Sequence, residues 1–196
     1  MRPTLMLMTA SALALAACAD NEPVTEDAAN LTVNEALLEN AAVVGNDAAP
    51  AEAPINFVNG EGAVVGTVTV EDSPAGLSLR LAASGMQPAT HGLHLHAVGT
   101  CQGPKFESAG PHWNPDNKQH GTENPQGPHK GDLPNVTVAA DGTLAQTLTL
   151  AGVNMAELRD ADGTALVLHA QADDNKTDPS GNSGDRIACA VIAAGQ

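Results

Sequence analysis

Aromatic residues are almost absent from this 196-residue chain, which has two Phe, one Trp and no Tyr. They are Phe57, Phe106 and Trp113. Large aromatic rings normally supply much of the buried area of a protein core. Here the core must instead be built from Val, Leu, Ile and Ala. The length suggests one ordinary domain with extensions.

Basic residues are also scarce, since eight Lys and Arg stand against 23 Asp and Glu. The net charge is −15. Residues 19–54 hold eight of the acids and no base, so residues 55–196, with 15 acids and seven bases, carry −8. This composition shows no basic patch, which disfavours nucleic acid and anionic membrane surfaces as partners. An anionic substrate would need locally placed positive charge.

Long apolar runs are missing except at the N-terminus, where residues 1–18 read MRPTLMLMTASALALAAC. One Arg and an apolar run ending in small residues are typical of a secretory signal peptide, and the run is too short to span a bilayer. The ending Leu15-Ala16-Ala17-Cys18 resembles the bacterial lipobox, in which the Cys is lipidated. The alternative is ordinary cleavage near Ala17, with Cys18 incidental. We expect an exported protein of the periplasm or cell envelope, anchored to a membrane through Cys18.

Residues 19–54 are rich in Ala, Asn, Asp and Glu and contain three Pro. This composition predicts a disordered acidic tether. Leu31–Glu39 could form a marginal helix, but isolated helices of this length are barely stable. The predicted organisation is therefore a signal peptide over 1–18, a tether over 19–54 and a folded domain over 55–196.

From Ile55 onward the pattern is that of an all-β domain. Eight short β-prone runs follow one another, many of them separated by turn dipeptides such as Asn59-Gly60 and Asp141-Gly142. They predict an eight-stranded antiparallel sandwich or barrel. Two long loops, Gly99–Pro134 and Ala172–Asp185, interrupt it, and Asn154–Arg159 is expected to form a brief helical turn. The predicted strands are Ile55–Asn59, Ala63–Val70, Gly76–Ala82, Gly92–Ala97, Asn135–Ala139, Thr143–Leu150, Ala165–Ala170 and Arg186–Ile192.

The first long loop carries the strongest chemical signal. It places His112, His120, His129 and Asp132 within 21 residues, and all seven His of the chain lie between Thr90 and Ala170. Three imidazoles and a carboxylate can fill a tetrahedral zinc shell. Long loops without secondary structure are usually functional or disordered. The clustering therefore predicts a metal site.

A second group of His lies on predicted strands. His94 and His96 share one face of a strand, because side chains alternate between faces, while Leu93 and Leu95 point into the core. His169 could supply a third nitrogen, and such a set suits zinc or copper. His91 has the parity of the leucines, so we interpret it as a structural His bonded to backbone.

These motifs together resemble copper–zinc superoxide dismutase, in its bacterial secreted or lipoprotein form, over residues 55–196. The resemblance implies a Greek-key β-barrel, related to the immunoglobulin-like sandwich, with one copper and one zinc per subunit. The residues that carry it are Gly92-Leu93-His94-Leu95-His96, Ala109-Gly110-Pro111-His112-Trp113-Asn114-Pro115, His120-Gly121, His129-Lys130-Gly131-Asp132-Leu133, Leu168-His169-Ala170-Gln171-Ala172-Asp173-Asp174 and Gly184-Asp185-Arg186-Ile187-Ala188-Cys189.

The resemblance also implies a ligand set and supporting residues. His112 would bridge both metals and serve with Arg186 in catalysis. Asp173 would accept hydrogen bonds from His94 and His120 and so orient them. Independently of the resemblance, whose steering pattern is not obvious here, Lys130 and Lys176 could attract the anionic substrate from the rim, although the loop Asp173–Asp185 also carries the acids Asp174, Asp178 and Asp185. The implied copper ligands are His94, His96, His112 and His169, and the implied zinc ligands are His112, His120, His129 and Asp132.

Three Cys are present, and Cys18 belongs to the predicted anchor. Cys101 and Cys189 remain, and an exported protein meets an oxidising compartment, so we expect them to form a disulfide. The alternative is two free buried thiols.

The function expected from the resemblance is dismutation of superoxide to O2 and H2O2. The alternative is a copper- or zinc-binding envelope protein of the same fold without catalysis. A homodimer is compatible with the sequence.

Overall fold

The structure, a computed structural model, describes residues 53–196. The predicted signal peptide, the lipidated Cys18, the marginal helix at Leu31–Glu39 and the tether up to residue 52 lie outside the described residues. None of the helices between residues 53 and 196 is long and apolar enough to cross a bilayer.

The domain is all-β and antiparallel, as predicted. A single-turn helix, α1 (Met155–Leu158), and a 3-10 turn at Glu107–Ala109 are its helical elements within residues 53–196. The strands are β1 (Ile55–Asn59), β2 (Val64–Ser73), β3 (Gly76–Ala83), β4 (Thr90–His91), β5 (Leu93–His96), β6 (Val136–Thr137), β7 (Leu144–Ala151), β8 (Gly163–His169) and β9 (Arg186–Ala194).

Seven strands form one sheet in the order β5-β8-β9-β1-β2-β3-β7, and β4 pairs with β6. Beyond β6 the amide of Ala139 donates to Thr143, just before β7. The β4–β6 pair therefore bridges the two edge strands, β5 and β7. The resulting arrangement is the Greek-key barrel that the resemblance implies, with β4 and β5 as one interrupted strand.

Gly92 is where that strand breaks. Its N–H donates to the carbonyl of Gln171, just before the second long loop, at 2.7 Å, and its carbonyl accepts from the N–H of His169. A Cβ on Gly92 would lie 2.9 Å from the Cβ of Ser183. The break lets the second loop pack against the base of β5, where two of the expected ligands lie.

The core is aliphatic, as the shortage of aromatic residues predicted. Alternating residues of β3, Leu77, Leu79 and Leu81, are buried and pack with Val68 and Val70 of β2. Burying such side chains contributes about 1.5–3 kcal/mol each. This core supports the rigid strands that carry the site.

Two features attach the long loops and connections to the barrel. The predicted disulfide between Cys101 and Cys189 is present and joins the first loop to β9. Helix α1 begins with a capping box, in which the Asn154 side chain accepts from the Glu157 N–H and the Glu157 carboxylate accepts from the Asn154 N–H. Met155 and Leu158 are buried, so α1 is fixed to the core.

Candidate metal centre

Four imidazoles meet where β5, β8 and the first loop converge. His94 and His96 lie on β5, His169 ends β8, and His112 lies in the loop, where it forms an isolated β-bridge with His96. Potential ligand atoms of the four lie within 4.8 Å of one another. His94 and His96 lie on the outer face of β5 but are both 0% exposed, because the loops cover that face.

Hydrogen bonds leave one nitrogen of each strand imidazole as a lone-pair donor. His94 Nε2 donates to Asp173 at 2.7 Å, His96 Nδ1 donates to the Gly110 carbonyl at 2.8 Å, and His169 Nδ1 donates to the Gly184 carbonyl at 3.2 Å. Because the opposite ring nitrogen carries the proton in each case, the free lone pairs are on His94 Nδ1, His96 Nε2 and His169 Nε2. The last two atoms lie only 3.4 Å apart.

Two of the inward nitrogens have no partner at all. His94 Nδ1 and His112 Nε2 are buried and accept or donate no hydrogen bond. A buried polar atom without a partner is costly and rare, so each one requires an explanation. Convergent unpaired imidazole nitrogens are the donor set of a transition-metal site.

A second cluster centres on the carboxylate of Asp132. Its Oδ1 lies 3.0, 2.9 and 3.2 Å from the Nδ1 atoms of His112, His120 and His129. Ligands of a tetrahedral zinc with bonds of about 2.0 Å are separated by about 3.3 Å. The N–H groups of Gly121 and His129 donate to Oδ2 at 2.9 Å and fix the carboxylate.

His94 also lies close to this second cluster, since its ligand atom is within 4.8 Å of those of His112, His120 and Asp132. We group His129 and not His94 with it, because His129 Nδ1 lies 3.2 Å from Asp132 Oδ1, whereas His94 Nδ1 makes no hydrogen bond.

His112 belongs to both clusters. Its Nδ1 is 3.0 Å from Asp132, and its unpaired Nε2 is on the side of the four-imidazole cluster. Its ring centroid is 4.0 Å from that of His94. One imidazole therefore joins the two clusters.

Asp173 links the clusters a second time, from behind. His94 Nε2 and His120 Nε2 both donate to its carboxylate, at 2.7 and 3.0 Å. The side-chain amide of Asn135 in turn holds the Asp173 backbone through two hydrogen bonds of 2.8 Å, one to the carbonyl and one from the N–H. The ring orientation of one residue in each cluster thus depends on a single carboxylate.

A cavity of about 310 Å3 opens onto the four-imidazole cluster and contains one permanent positive charge, Arg186. The guanidinium donates to the carbonyls of Phe106 at 2.6 Å and Gly110 at 2.7 Å, which leaves N–H groups unused. A larger cavity, of about 590 Å3, also contains Arg186 but no imidazole. The chemistry therefore belongs to the smaller one, lined by Pro111, His112, His169, Pro179, Ser180, Gly184 and Arg186.

Comparison with known proteins agrees with this geometry. A family model described as copper/zinc superoxide dismutase matches residues 64–192. The chain belongs to the copper/zinc superoxide dismutase family.

Relatives of the family match most of the chain. The superoxide dismutase-like protein YojM of Bacillus subtilis is 38% identical over 98% of this chain and 96% of its own length. A Cu-Zn superoxide dismutase of Aquifex aeolicus is 41% identical over 72% of this chain and 86% of its own. The crystal structure of a SOD-like protein from Bacillus subtilis, 41% identical, gives a TM-score of 0.69 over 72% of this chain and 99% of that one.

Copper and zinc are accordingly the cofactors, and the two clusters fit them. Four imidazoles meet in one cluster, and two of their buried nitrogens, His94 Nδ1 and His112 Nε2, have no hydrogen-bond partner, which suits copper. The three Nδ1 atoms around one carboxylate oxygen have the composition and spacing of a zinc shell.

Burial keeps three of the four imidazoles, those of His96, His112 and His169, neutral at pH 7. Burial and the neighbouring His112 lower the pKa of His96 to about 2. Burial and His94 lower the pKa of His169 to about 3. Burial also lowers the pKa of His112, to about 4, although its hydrogen bond with Asp132 opposes this shift. Neutral imidazoles are the form that binds a metal.

The second cluster has the opposite electrostatics. Burial lowers the pKa of His120, but hydrogen bonds to Asp132 and Asp173 and the charges of both carboxylates outweigh it and raise the pKa to about 9. Burial likewise raises the pKa of each carboxyl, yet the hydrogen bonds from His120 and its neighbours hold both well below their usual range. This part of the site is built to stabilise positive charge.

Of the two lysines expected at the rim, neither is free. Lys130 Nζ lies 2.9 Å from Glu157 and Lys176 Nζ lies 2.8 Å from Glu123. Each pair cancels the charge that would attract an anion. Arg186 is therefore the cation available to the cavity.

Three other residues of the site were not found from the sequence. Asn135 holds Asp173, Gly181 packs against it, and Asp178 accepts from the His120 N–H at 2.6 Å. Asn, Gly and Asp are common loop residues, so no local signal identified them. His91 was interpreted as structural, and its ring nitrogens do contact the carbonyls of His169 and Gln87.

Proposed function

We propose that this protein dismutates superoxide to O2 and H2O2. His94, His96, His112 and His169 would hold copper, and His112, His120, His129 and Asp132 would hold zinc. The observation that carries the proposal is the set of convergent, unpaired imidazole nitrogens beside a cavity whose permanent cation is Arg186. Bound copper would supply one-electron chemistry, oxidising one superoxide and reducing the next.

Arg186 is proposed to bind the anion. Two of its N–H groups are committed to Phe106 and Gly110, which fixes the plane of the guanidinium. The remaining N–H groups can donate to the two oxygens of superoxide, as guanidinium groups do to small anions. Gly110 also accepts from His96, so one carbonyl aligns the anion-binding group with a copper ligand.

His112 is proposed to handle a proton. H2O2 formation needs two protons, and His112 lines the cavity and has a buried Nε2 without a hydrogen-bond partner. Because Nδ1 is engaged with Asp132, Nε2 is the nitrogen that can take up and deliver a proton. The rest of the wall contains one other imidazole, that of His169, and no carboxyl group.

The location we propose is the cell envelope. The support is the signal-like segment 1–18 and the lipobox-like ending at Cys18, followed by a long acidic tether. Such a protein would be anchored by lipid on Cys18 and would act on superoxide outside the cytoplasm.

A second candidate is a metal-binding protein without catalysis, suggested by the name of the YojM relative, which is "superoxide dismutase-like". Retention of all copper-ligand candidates and of Arg186 favours the enzyme.

Reconstitution tests the choice. The full chain, loaded with copper and zinc, is assayed by pulse radiolysis after its metal content is measured. We expect about one copper and one zinc per chain and catalysis that cyanide inhibits. Fully loaded protein without catalysis would establish the second candidate.

A further inference from the structure

The proposed function assigns no role to the contacts that the Lys130 side chain makes. It lies between two proposed zinc ligands, His129 and Asp132, but its side chain points to other partners. Nζ is 2.9 Å from a carboxylate oxygen of Glu157 and 5.7 Å from the ring centroid of Trp113, a distance at which a cation and an aromatic face attract.

Glu157 is a firm partner because it belongs to the capped helix α1. One carboxylate oxygen receives Lys130, and the other accepts from the N–H and side-chain amide of Asn154. Met155 and Leu158 anchor α1 in the core. The position of the Glu157 carboxylate is therefore fixed by the packing of α1 against the core.

Lys130 lies in a tight turn, so a displacement of Lys130 would also displace the proposed zinc ligands His129 and Asp132. Within the turn the Asp132 N–H donates to the His129 carbonyl and the His129 N–H donates to the Asp132 carboxylate. Between them Gly131 donates to the Trp113 carbonyl at 2.9 Å and accepts from Leu95. A Cβ on Gly131 would lie 2.5 Å from the Leu95 carbonyl, so the turn has little room to shift inward.

We propose that Lys130 is a positioning residue for the zinc cluster. Its ion pair with Glu157 and its contact with Trp113 hold the His129–Asp132 turn against α1 and slow the release of zinc. This inference rests on the zinc ligands of the proposed function, but it assigns Lys130 a structural duty in place of attraction of the substrate.

The test measures zinc release from the full copper- and zinc-loaded chain. A chromogenic chelator reports the first-order release rate, and fluorescence of Trp113, the only tryptophan, reports the local change. The variants are Lys130→Gln, Glu157→Gln and their combination. Glu157→Gln retains a residue that supports a capping box, so α1 is preserved. Lys130→Arg tests rescue.

Lys118→Gln is the matched control. Lys118 lies in the same loop, two residues before His120, and is exposed, and within residues 53–196 its ammonium group has no ion-pair partner. The substitution removes one positive charge from the loop but leaves the contacts of Lys130 with Glu157 and Trp113 intact.

We expect each of Lys130→Gln and Glu157→Gln to accelerate zinc release about two- to fivefold, as for a partly exposed ion pair. The double variant should be no faster than Lys130→Gln alone, because that substitution already removes both the ion pair with Glu157 and the contact with Trp113. Lys130→Arg should restore the slow rate, and Lys118→Gln should leave it unchanged.

Unchanged release in both single variants, multiplicative effects in the double variant, or equal acceleration by Lys118→Gln would overturn the proposal. The measurement needs no turnover of superoxide. A chain that shows the expected release rates without dismutation would retain this role for Lys130 and lose the proposed catalytic function.

Discussion

His112 is the residue on which both clusters depend. Nδ1 approaches Asp132, and Nε2 is buried and unpaired beside His94. Each of the other proposed ligands, by contrast, is assigned to one cluster only.

Replacing His112 with Ala should therefore remove a ligand from both sites at once. We expect the kcat/KM for superoxide to fall by about 100-fold or more, because a metal ligand and a proton carrier are lost together. Pulse radiolysis measures the rate, and metal analysis shows whether both ions are still bound. Near-wild-type turnover with both metals present would contradict the shared role.

Gly181 shows how closely the backbone approaches the site. Its φ is +62°, and a Cβ there would overlap the Asp173 carboxylate and lie 2.7 Å from His120 Nε2. Glycine is therefore required both by the left-handed backbone and by the lack of space.

Gly181→Ala should displace Asp173 and disturb His94 and His120 together. We expect metal affinity to fall about 10- to 100-fold, as for loss of a residue that orients metal ligands. Competition with chelators measures it for each metal. Gly62→Ala is the control, since Gly62 also has a positive φ, +80°, but a Cβ added there would meet no atom within 4 Å beyond its chain neighbours. Equal losses in the two variants would show that backbone strain, not contact with Asp173, is responsible.

At the scale of elements, β9 attaches the first loop to the barrel. It carries Cys189, bonded to Cys101, and Arg186, which donates to Phe106 and Gly110 of the same loop. The disulfide closes a sequence separation of 88 residues. The Gly110 carbonyl also accepts a hydrogen bond from His96, so the first loop connects the disulfide to the four-imidazole cluster.

Removing the disulfide with Cys101→Ser and Cys189→Ser together should lower the free energy of unfolding by about 2–5 kcal/mol, since the unfolded chain regains the entropy of a long loop. Urea unfolding of the metal-free protein measures this. Reduced wild-type protein is the control and should match the double variant. A loss below about 1 kcal/mol in both would show that Arg186 and packing hold the loop without the disulfide.

At the scale of the whole molecule, net charge and local charge oppose each other. The domain carries −8, whereas the cavity at the imidazole cluster contains Arg186 and no carboxylate among its lining residues. The field inside a narrow cleft is set by the local groups.

We therefore expect kcat/KM to fall as ionic strength rises, because salt screens the attraction of Arg186 for superoxide. Lys176→Gln should leave this dependence nearly unchanged, since Lys176 is already paired with Glu123. Pulse radiolysis over a series of salt concentrations measures both. A rate that rises with salt would mean that the overall negative charge dominates the approach.

Much of the fold could be predicted because it depends on local patterns. Alternation in β3 and β7 and turn dipeptides such as Asn59-Gly60 require no knowledge of distant residues. The prediction failed where distant contacts intervene. The strand predicted at Gly92–Ala97 forms as Leu93–His96, but the strand at Thr90–His91, separated from it by Gly92 and its hydrogen bond to Gln171, was not predicted. Only Val136–Thr137 remains of the strand predicted at Asn135–Ala139.

By itself, the sequence determined which side chains could bind metals and which fold could carry them, because residue type, spacing and strand parity are local properties. Only the tertiary structure decided how those side chains are aimed. The free lone pairs of His94, His96 and His169 converge because the other nitrogen of each ring donates a hydrogen bond, to Asp173, Gly110 and Gly184 respectively. The tertiary structure also decided that Lys130 pairs with Glu157, 27 residues away, because an ion pair forms between whichever charged groups folding brings close together.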